Sequence, residues 1–317
     1  MRLALFLLYN MERMLELCRR ASWGSDPKRR GGMYFWKMNG AGNDFIVINN
    51  IDEKIPHDRL PEIARKLCHR HLSIGADGFM AVEKPTEGTD ADYRMLFFNS
   101  DGSMGEMCGN GARCICRYGY ENGLAGEFQR VETTAGIVTG ERIDKRQYRV
   151  RLNNPECVRF DEVIEAEGTE WICSYVELGN PGIPHCVVAI EGLMEYPEDK
   201  LYRLGQALRN YEGYPKGANV NFFEITGNDN VFERTFERGV EDFTYACGTG
   251  TGSVVTVLTL QGKVSGRNVK VDMIGGQLTV DVNAEDGRIK DLYLTGPTNI
   301  VARGEATDED LILQHSN

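Results

Sequence analysis

No apolar run in this 317-residue chain approaches the ~18 residues of a membrane-spanning helix, so no such span is expected. Basic charge is also short: 36 Lys and Arg stand against 47 Asp and Glu, a formal net charge of −11. A nucleic-acid surface normally shows a basic excess and clustered Lys and Arg, so that partner class is disfavoured, although a local basic pocket for a small anion is not. The five histidines form no Ser-His-Asp pattern: His57 and His315 lie in polar stretches, and His69 and His71 end a predicted helix. The run Gly248-Thr-Gly250-Thr-Gly252-Ser253 lacks the lysine of a phosphate loop, and Gly40-Ala-Gly42 leads from strand into strand, not into the helix that a dinucleotide fold needs. Nine cysteines at irregular spacing make a poor disulfide framework, which points to free thiols in a reducing compartment.

What is present is a globular composition, 41% hydrophobic and 26% charged, with mean hydropathy −0.38. The length predicts two domains or one large one. Residues 1–32 read as an N-terminal extension. A short apolar run (Leu3 to Tyr9) is followed by mixed charges and a basic turn-rich stretch, with no small-x-small cleavage site directly after it. A loosely attached helix and linker, or a functional start at Met33, is expected there. Beyond it, Phe45–Ile48, Arg94–Phe98, Tyr148–Leu152, Trp171–Leu178, Cys186–Ile190, Asn219–Ile225 and Val231–Phe236 read as strands. Pro61–His71 and Leu201–Leu208 read as helices.

The chain repeats itself. Cys108-Gly-Asn-Gly111 and Cys247-Gly-Thr-Gly250 share C-G-x-G at a separation of 247 − 108 = 139, and a glycine follows each cysteine by fifteen residues, at Gly123 and Gly262. In the same order, Gly42-Asn43 matches Gly179-Asn180, Gly75-Ala-Asp77 matches Gly217-Ala-Asn219, Phe97-Phe98-Asn99 matches Phe236-Glu237-Arg238, and Ala135-Gly136 matches Gly275-Gly276. Two homologous halves are expected, 33–152 (completed by 297–317) and 153–296, with a ligand cleft between them.

Glycines after a cysteine let the backbone turn tightly and bring its N–H groups close to a ligand. If a helix starts there, its N-terminus favours a thiolate and a bound carboxylate. Two such ends facing each other could hold one carboxylate and flank the adjacent carbon with sulfurs. One thiolate then removes a proton and the opposite thiol supplies one to the other face, inverting the carbon. Cys18, Cys68, Cys114, Cys116, Cys157, Cys173 and Cys186 read as packing residues. The spacings among Cys108, Cys114 and Cys116 do not fit structural zinc, and no metal is expected.

At these residues the chain resembles the diaminopimelate epimerase family. The resemblance rests on Met38-Asn-Gly-Ala-Gly-Asn-Asp-Phe45, Gly75-Ala-Asp-Gly78, Phe98-Asn-Ser-Asp-Gly-Ser103, Met107-Cys-Gly-Asn-Gly-Ala-Arg-Cys114, Gly179-Asn-Pro181, Pro184-His-Cys186, Asn219-Val-Asn-Phe222, Glu237-Arg-Gly239, Ala246-Cys-Gly-Thr-Gly250 and Leu294-Thr-Gly-Pro297. It implies an α+β fold of two pseudo-symmetric domains, each a barrel-like, mostly antiparallel sheet around a central helix, with the active site in the cleft. It implies cofactor-independent (PLP-independent) interconversion of LL- and meso-diaminopimelate, in lysine and peptidoglycan-precursor synthesis, by a cytoplasmic homodimer. It makes Cys108 and Cys247 the acid–base pair, supported by His185 and Glu237. It places Asn43, Asn99, Asn180, Asn219 and Arg238 on the distal head group, and the backbone of Gly109, Asn110, Gly248 and Thr249 on the reacting carboxylate. An asparagine in a glycine-rich turn is by default a backbone cap; here the motifs decide for substrate.

Departures from the family pattern are visible. Gly182-Ile-Pro184 intervenes between Gly179-Asn-Pro181 and His185, and Glu241–Tyr245 is one residue longer than usual. Val254, Val255, Thr256 and Val257 lower intrinsic helix propensity after Cys247. A position often polar in the family is Gly78. Two alternatives stay open: a racemase of another amino acid, such as histidine, on the same scaffold, and a thiol redox or metal-binding protein.

Overall fold

The structure is a computed structural model that describes residues 32–105, 108–180 and 182–307. All of the extension read over 1–32 except Gly32, together with Cys18, Pro181 and His315, falls outside the described residues. The chain forms two units. One is Met1–Tyr34 with Gly304–Asn317, whose described residues are mainly strand. The other, Phe35–Arg303, contains both repeats.

The elements follow the repeat. The first half runs β1 (Met33–Gly40), β2 (Asn43–Asn49), α1 (Asn50–Glu53), α2 (Leu60–Leu67), β3 (Gly78–Glu83), β4 (Tyr93–Asn99), α3 (Gly109–Glu121), β5 (Phe128–Thr133), β6 (Gly136–Arg142) and β7 (Gln147–Leu152). The second runs β8 (Pro155–Ala166), β9 (Thr169–Leu178), β10 (Ile183–Ala189), α4 (Glu198–Arg209), β11 (Asn219–Gly227), β12 (Asn230–Glu237), β13 (Asp242–Thr244), α5 (Gly248–Leu260), β14 (Val269–Met273), β15 (Gly276–Glu285) and β16 (Arg288–Pro297), before β17 (Asn299–Ala306). Strand pairing repeats as well. β2 runs parallel to β3 as β10 does to β11, and β4 runs parallel to β5 as β12 does to β14. The remaining neighbours in each half are antiparallel, and β7 pairs with β16 to join the halves. The fold is thus α+β, with two pseudo-symmetric, mostly sheet domains.

The central helices form for different reasons. In α3 the residues from Gly109 to Gly119 are buried, and in α5 those from Gly248 to Leu258 are. For the β-branched run Val254–Val257, burial on every side outweighs the propensity cost, which is only tenths of a kcal/mol per residue (roughly 0.5) against ~1.5–3 for burying an aliphatic side chain. Both helices end on a glycine one residue past the cap, Gly123 and Gly262, each with φ +69°, where a side chain would be strained. Helix α2 is shorter than the expected Pro61–His71. The amides of Gly75 and Ala76 donate to the carbonyls of Leu67 and Cys68 (2.9 and 3.0 Å), so the following loop folds back and closes the helix at Leu67. Helix α4 extends beyond Leu201–Leu208 because Pro197 starts it and Glu198 and Asp199 occupy its first turn. After β16 the chain returns to the first half, where the Thr298 amide donates to the Arg146 carbonyl (2.8 Å) and Arg117 donates to the Thr298 carbonyl (2.5 Å).

Candidate active site

Each C-G-x-G cysteine is the N-cap of a central helix. Cys108 (φ −108°, ψ 117°) precedes α3 and its Sγ accepts from the Gly111 amide at 3.5 Å. Cys247 (φ −121°, ψ 106°) precedes α5, with its Sγ 3.6 Å from the Thr249 hydroxyl. The two helix ends touch. A Cβ placed on Gly248 would lie 3.4 Å from the Gly109 Cα and 2.9 Å from Leu294 Cδ2. Glycine at both positions leaves the positive ends of the two helices in close contact, with Leu294 filling the space beside them. Asn110 ties them together: its amide donates to the Asn43 side chain (2.5 Å) and the Ala246 carbonyl (3.4 Å), and its Oδ1 accepts from Arg113 (2.7 Å).

Above this junction is a cavity of about 840 Å³ lined from both halves. Of the residues expected from sequence, Cys108, Cys247, Glu237, Asn43, Asn99, Asn219, Arg238, Gly109, Gly248 and Thr249 line it. Asn110 is fully buried and does not line the cavity. His185 is also fully buried outside the lining, with Nδ1 3.2 Å from the Asn221 amide nitrogen. That nitrogen also meets the carbonyls of Cys186 (3.1 Å) and Asn219 (3.3 Å), which fixes it as the donor and His185 Nδ1 as an acceptor.

Asn180 is exposed and does not line the cavity; Ile183 does. Strand register explains the difference. β1 and β2 begin their pairing at Gly40↔Asn43, while β9 and β10 begin at Leu178↔Ile183. The symmetry mate of Asn43 is therefore Ile183, and Gly179-Asn180 belongs to the longer turn before it. The same register sets Gly78 against Asn219, and Asn99 against Glu237, one residue away from the match read in the sequence. A second G-x-P, Gly182-Ile-Pro184, stands directly before His185 and was the available signal for Ile183.

Sequence reasoning also passed over a charged cluster on the first-half wall. Asp44 is held by Lys37 (2.6 Å) and Arg70 (2.9 Å), and Arg70 also binds Asp77 (2.6 Å). Asp44 and Asp77 cap each other's amides, at 2.9 and 3.1 Å. Burial raises the Asp44 pKa, but hydrogen bonds from Lys37 and Arg70 outweigh it and hold the carboxyl below its usual range. Arg70 and Asp77 bracket Gly75-Ala76, so the motif was visible but its chemistry was not.

Ionisation near the cysteines is governed by burial. Burial pushes both thiols above their ordinary pKa, and the nearby Glu237 pushes each further. Burial also raises Glu237. His185 is pushed down to about 3, by burial first and then by the Arg238 charge, so it is neutral near pH 7. Glu233, 2% exposed, is pushed up to about 7 by burial, against hydrogen bonds from Thr251 and Thr235. Because its folded pKa lies above the unfolded 4.5, its contribution to stability is complete below pH 4.5 and is lost as pH rises through 7. Glu233→Gln removes that titration. Its melting temperature, measured against the parent, should therefore improve between roughly pH 5 and pH 8; a constant difference over that range would contradict the assignment.

The eight described cysteines are free, and among the described residues no group of three His, Cys, Asp or Glu side chains is arranged to hold a metal. Among the described residues no helix is long and apolar enough to cross a membrane.

The fold is shared with a solved hydroxyproline epimerase from Agrobacterium vitis, at a TM-score of 0.63 and 18% identity over 88% of this chain and 93% of that one. Fold and site define the class only together with the chain's relatives, which are epimerases and so isomerases. A family profile described as diaminopimelate epimerase matches residues 35–158 and 178–301, one segment in each half. Diaminopimelate epimerases of Aquifex aeolicus and Moorella thermoacetica are each 38% identical to the chain, over 288 and 290 residues, covering 88% and 86% of it and 99% of each relative. The chain belongs to the diaminopimelate epimerase family.

Proposed function

We propose that this protein interconverts LL- and meso-diaminopimelate by two-base proton transfer at the α carbon, without pyridoxal phosphate, in lysine and peptidoglycan-precursor synthesis. The observation that carries the reading is the meeting of the Cys108 and Cys247 helix ends at one cavity. The reacting carboxylate lies against the amides of Gly109, Asn110, Gly248 and Thr249, where both helix dipoles stabilise the charge that develops as the α proton leaves. One cysteine, as thiolate, takes the proton, and the other, as thiol, protonates the opposite face; in the reverse direction the roles exchange. Glu237 lies on the same wall and raises both thiol pKa values, which favours a neutral thiol on the donor side.

The distal amino-acid group is held by Arg238, Asn43, Asn99 and Asn219. Asn219 orients Arg238: its Oδ1 accepts from the Arg238 amide at 2.9 Å while its Nδ2 donates to the Pro184 carbonyl at 3.1 Å. His185 serves from behind, through Asn221, which packs against Gly250 in the turn that carries Cys247. Asn180 has no part in binding, and Ile183 supplies an apolar surface in its place. Asn180→Ala should therefore change kcat/KM by less than about twofold, whereas Asn219→Ala should lower it by about tenfold or more, the cost of an unpaired partner at a buried polar contact. Equal effects from the two variants would return Asn180 to the site.

The catalytic thiols must stay reduced, which favours a cytoplasmic location, and a homodimer is the expected assembly. The direct test is incubation in deuterated water, without pyridoxal phosphate, with LL-diaminopimelate and separately with histidine, proline and other amino acids. Deuterium at the α carbon with inversion is expected for diaminopimelate alone. Inversion of another amino acid at a higher kcat/KM would overturn the substrate assignment.

A further inference from the structure

The two cysteines occupy symmetric positions, but their surroundings do not match. Strand and helix register place Phe45 opposite His185, Met80 opposite Asn221, Met95 opposite Glu233, Phe97 opposite Thr235, and Ala112 opposite Thr251. These five positions are thus apolar in the first half and polar in the second. The close approaches repeat across the symmetry as well. A Cβ on Gly111 would meet Met80 Cε at 2.6 Å, and one on Gly250 would meet Asn221 Oδ1 at 2.2 Å.

Charge is distributed just as unevenly. In the first turns of α3, Arg113 is 0% exposed. Its Nη1 donates to the Gly109 carbonyl (3.3 Å) and its Nη2 to Asn110 Oδ1 (2.7 Å), its Nε has no partner, and among the described residues no carboxylate pairs with it. Its mate in α5 is Gly252. A buried guanidinium without a counter-ion costs several kcal/mol (order of magnitude) unless an anion is near, and among the described residues the ionisable groups that act on it are the thiols of Cys108, Cys114 and Cys116. Cys114 and Cys116 are fully buried and held at about 12 by burial, so neither is an available anion near neutral pH. Cys108 alone lines the cavity.

Behind Cys247 lies a carboxyl. Thr251 Oγ1 is 2.7 Å from Glu233 and 2.9 Å from the Cys247 carbonyl, and Thr235 Oγ1 is 3.2 Å from Glu233 and 3.1 Å from Asn221 Oδ1. The two hydroxyls bring two hydrogens to four contacts, so a proton on Glu233 supplies a third. An anion on Cys247 would face the charges of this group and of Glu237.

We propose that the two thiols are inequivalent at rest: Cys108 is the one that ionises first and Cys247 the one that keeps its proton, because a buried guanidinium sits in the helix behind the first and a buried carboxyl behind the second. Arg113 and Glu233 are positioning residues that set this polarity. The proposal rests on the two-thiol reading above. It selects the isomer whose α hydrogen faces Cys108 as the one bound productively by the resting enzyme.

Alkylation tests it without turnover, so its failure is distinguishable from failure of the two-thiol reading, which deuterium exchange decides. The full-length protein is treated with iodoacetamide across a pH series, and labelling of the Cys108 and Cys247 peptides is followed by mass spectrometry. In the parent, Cys108 should reach half-maximal labelling rate at a lower pH than Cys247. Glu233→Gln should lower the Cys247 midpoint and leave that of Cys108 in place; Arg113→Met should raise the Cys108 midpoint. If Arg113→Met does not fold, the parent order and Glu233→Gln decide. Equal midpoints, Cys247 labelling first, or an unmoved Cys247 midpoint in Glu233→Gln would overturn the proposal.

Discussion

Replacing either Cys108 or Cys247 by alanine is expected to lower the epimerisation rate by about a thousandfold or more, since each supplies one proton transfer and a single such transfer is worth about 10²–10⁴. The expected residue of activity is more telling than the loss. In Cys247→Ala, the remaining thiolate can still remove an α proton from the isomer that presents its hydrogen to Cys108. With no acid on the far face, the carbanion is reprotonated from the same side by the Cys108 thiol once that thiol has exchanged its hydrogen with deuterated water, so deuterium enters without inversion. Cys108→Ala should show the same exchange for the other isomer only. The helix amides that receive the carboxylate are backbone groups and survive both substitutions. Cys108→Ala also removes the bond from the Gly111 amide to Sγ, an N-cap cost of about 1 kcal/mol, to be checked by thermal unfolding. Exchange and inversion are read together by mass spectrometry and chiral separation. Either variant epimerising within tenfold of the parent would rule out two-base catalysis by this pair.

How much of this was legible in the sequence depends on the kind of interaction involved. The duplication and its paired cysteines were, because C-G-x-G followed by a glycine at a fixed distance is a local pattern that the helix caps at Gly123 and Gly262 make necessary. The alternating strands were legible for the same reason: β7, with every second residue buried, needs only period two. Asn180 lies outside the cavity because Gly179-Asn180 imitates Gly42-Asn43 in sequence only, while position in a sheet is set by hydrogen-bond register, which a turn two residues longer shifts to Ile183. The helix after Cys247 rested on resemblance, since the propensity of Val254–Val257 points the other way and only burial on every side overrides it. The contrast between Met95 and Glu233, or Ala112 and Thr251, was not legible. Each is an ordinary residue for its element, and becomes unusual only when the folded halves are superimposed.

Gly275→Ala is expected to lower kcat by about a hundredfold and stability by about 1–3 kcal/mol, through a backbone contact that involves no reacting atom. A Cβ at Gly275 would lie 2.4 Å from the Ala41 carbonyl oxygen and 2.8 Å from that of Tyr245. Both are backbone atoms in turns, so neither can yield as a side-chain tip would. The same junction is closed by Gly42, at φ +94°, where a Cβ would meet the Cβ of Tyr245 at 2.5 Å and the Gly275 Cα at 3.0 Å. The Gly275 amide donates to the Tyr245 carbonyl at 2.9 Å, which the new methyl would push away. Register makes Ala135 the mate of Gly275, since Thr133↔Gly136 in β5–β6 matches Met273↔Gly276 in β14–β15. The first half thus carries a methyl where the second cannot, because the turn between β1 and β2 docks only on the second. That turn leads directly to Asn43, and Tyr245 is two residues from Cys247. Separation there moves the two walls of the cavity apart, and a displacement of about 1 Å between reacting groups is enough to cost about 10²-fold in rate. Gly126→Ala, with open space around the added carbon, is the control. Steady-state kinetics and thermal unfolding on both variants check the expectation. If Gly275→Ala matches Gly126→Ala in kcat and melting temperature, the junction does not hold the cavity closed.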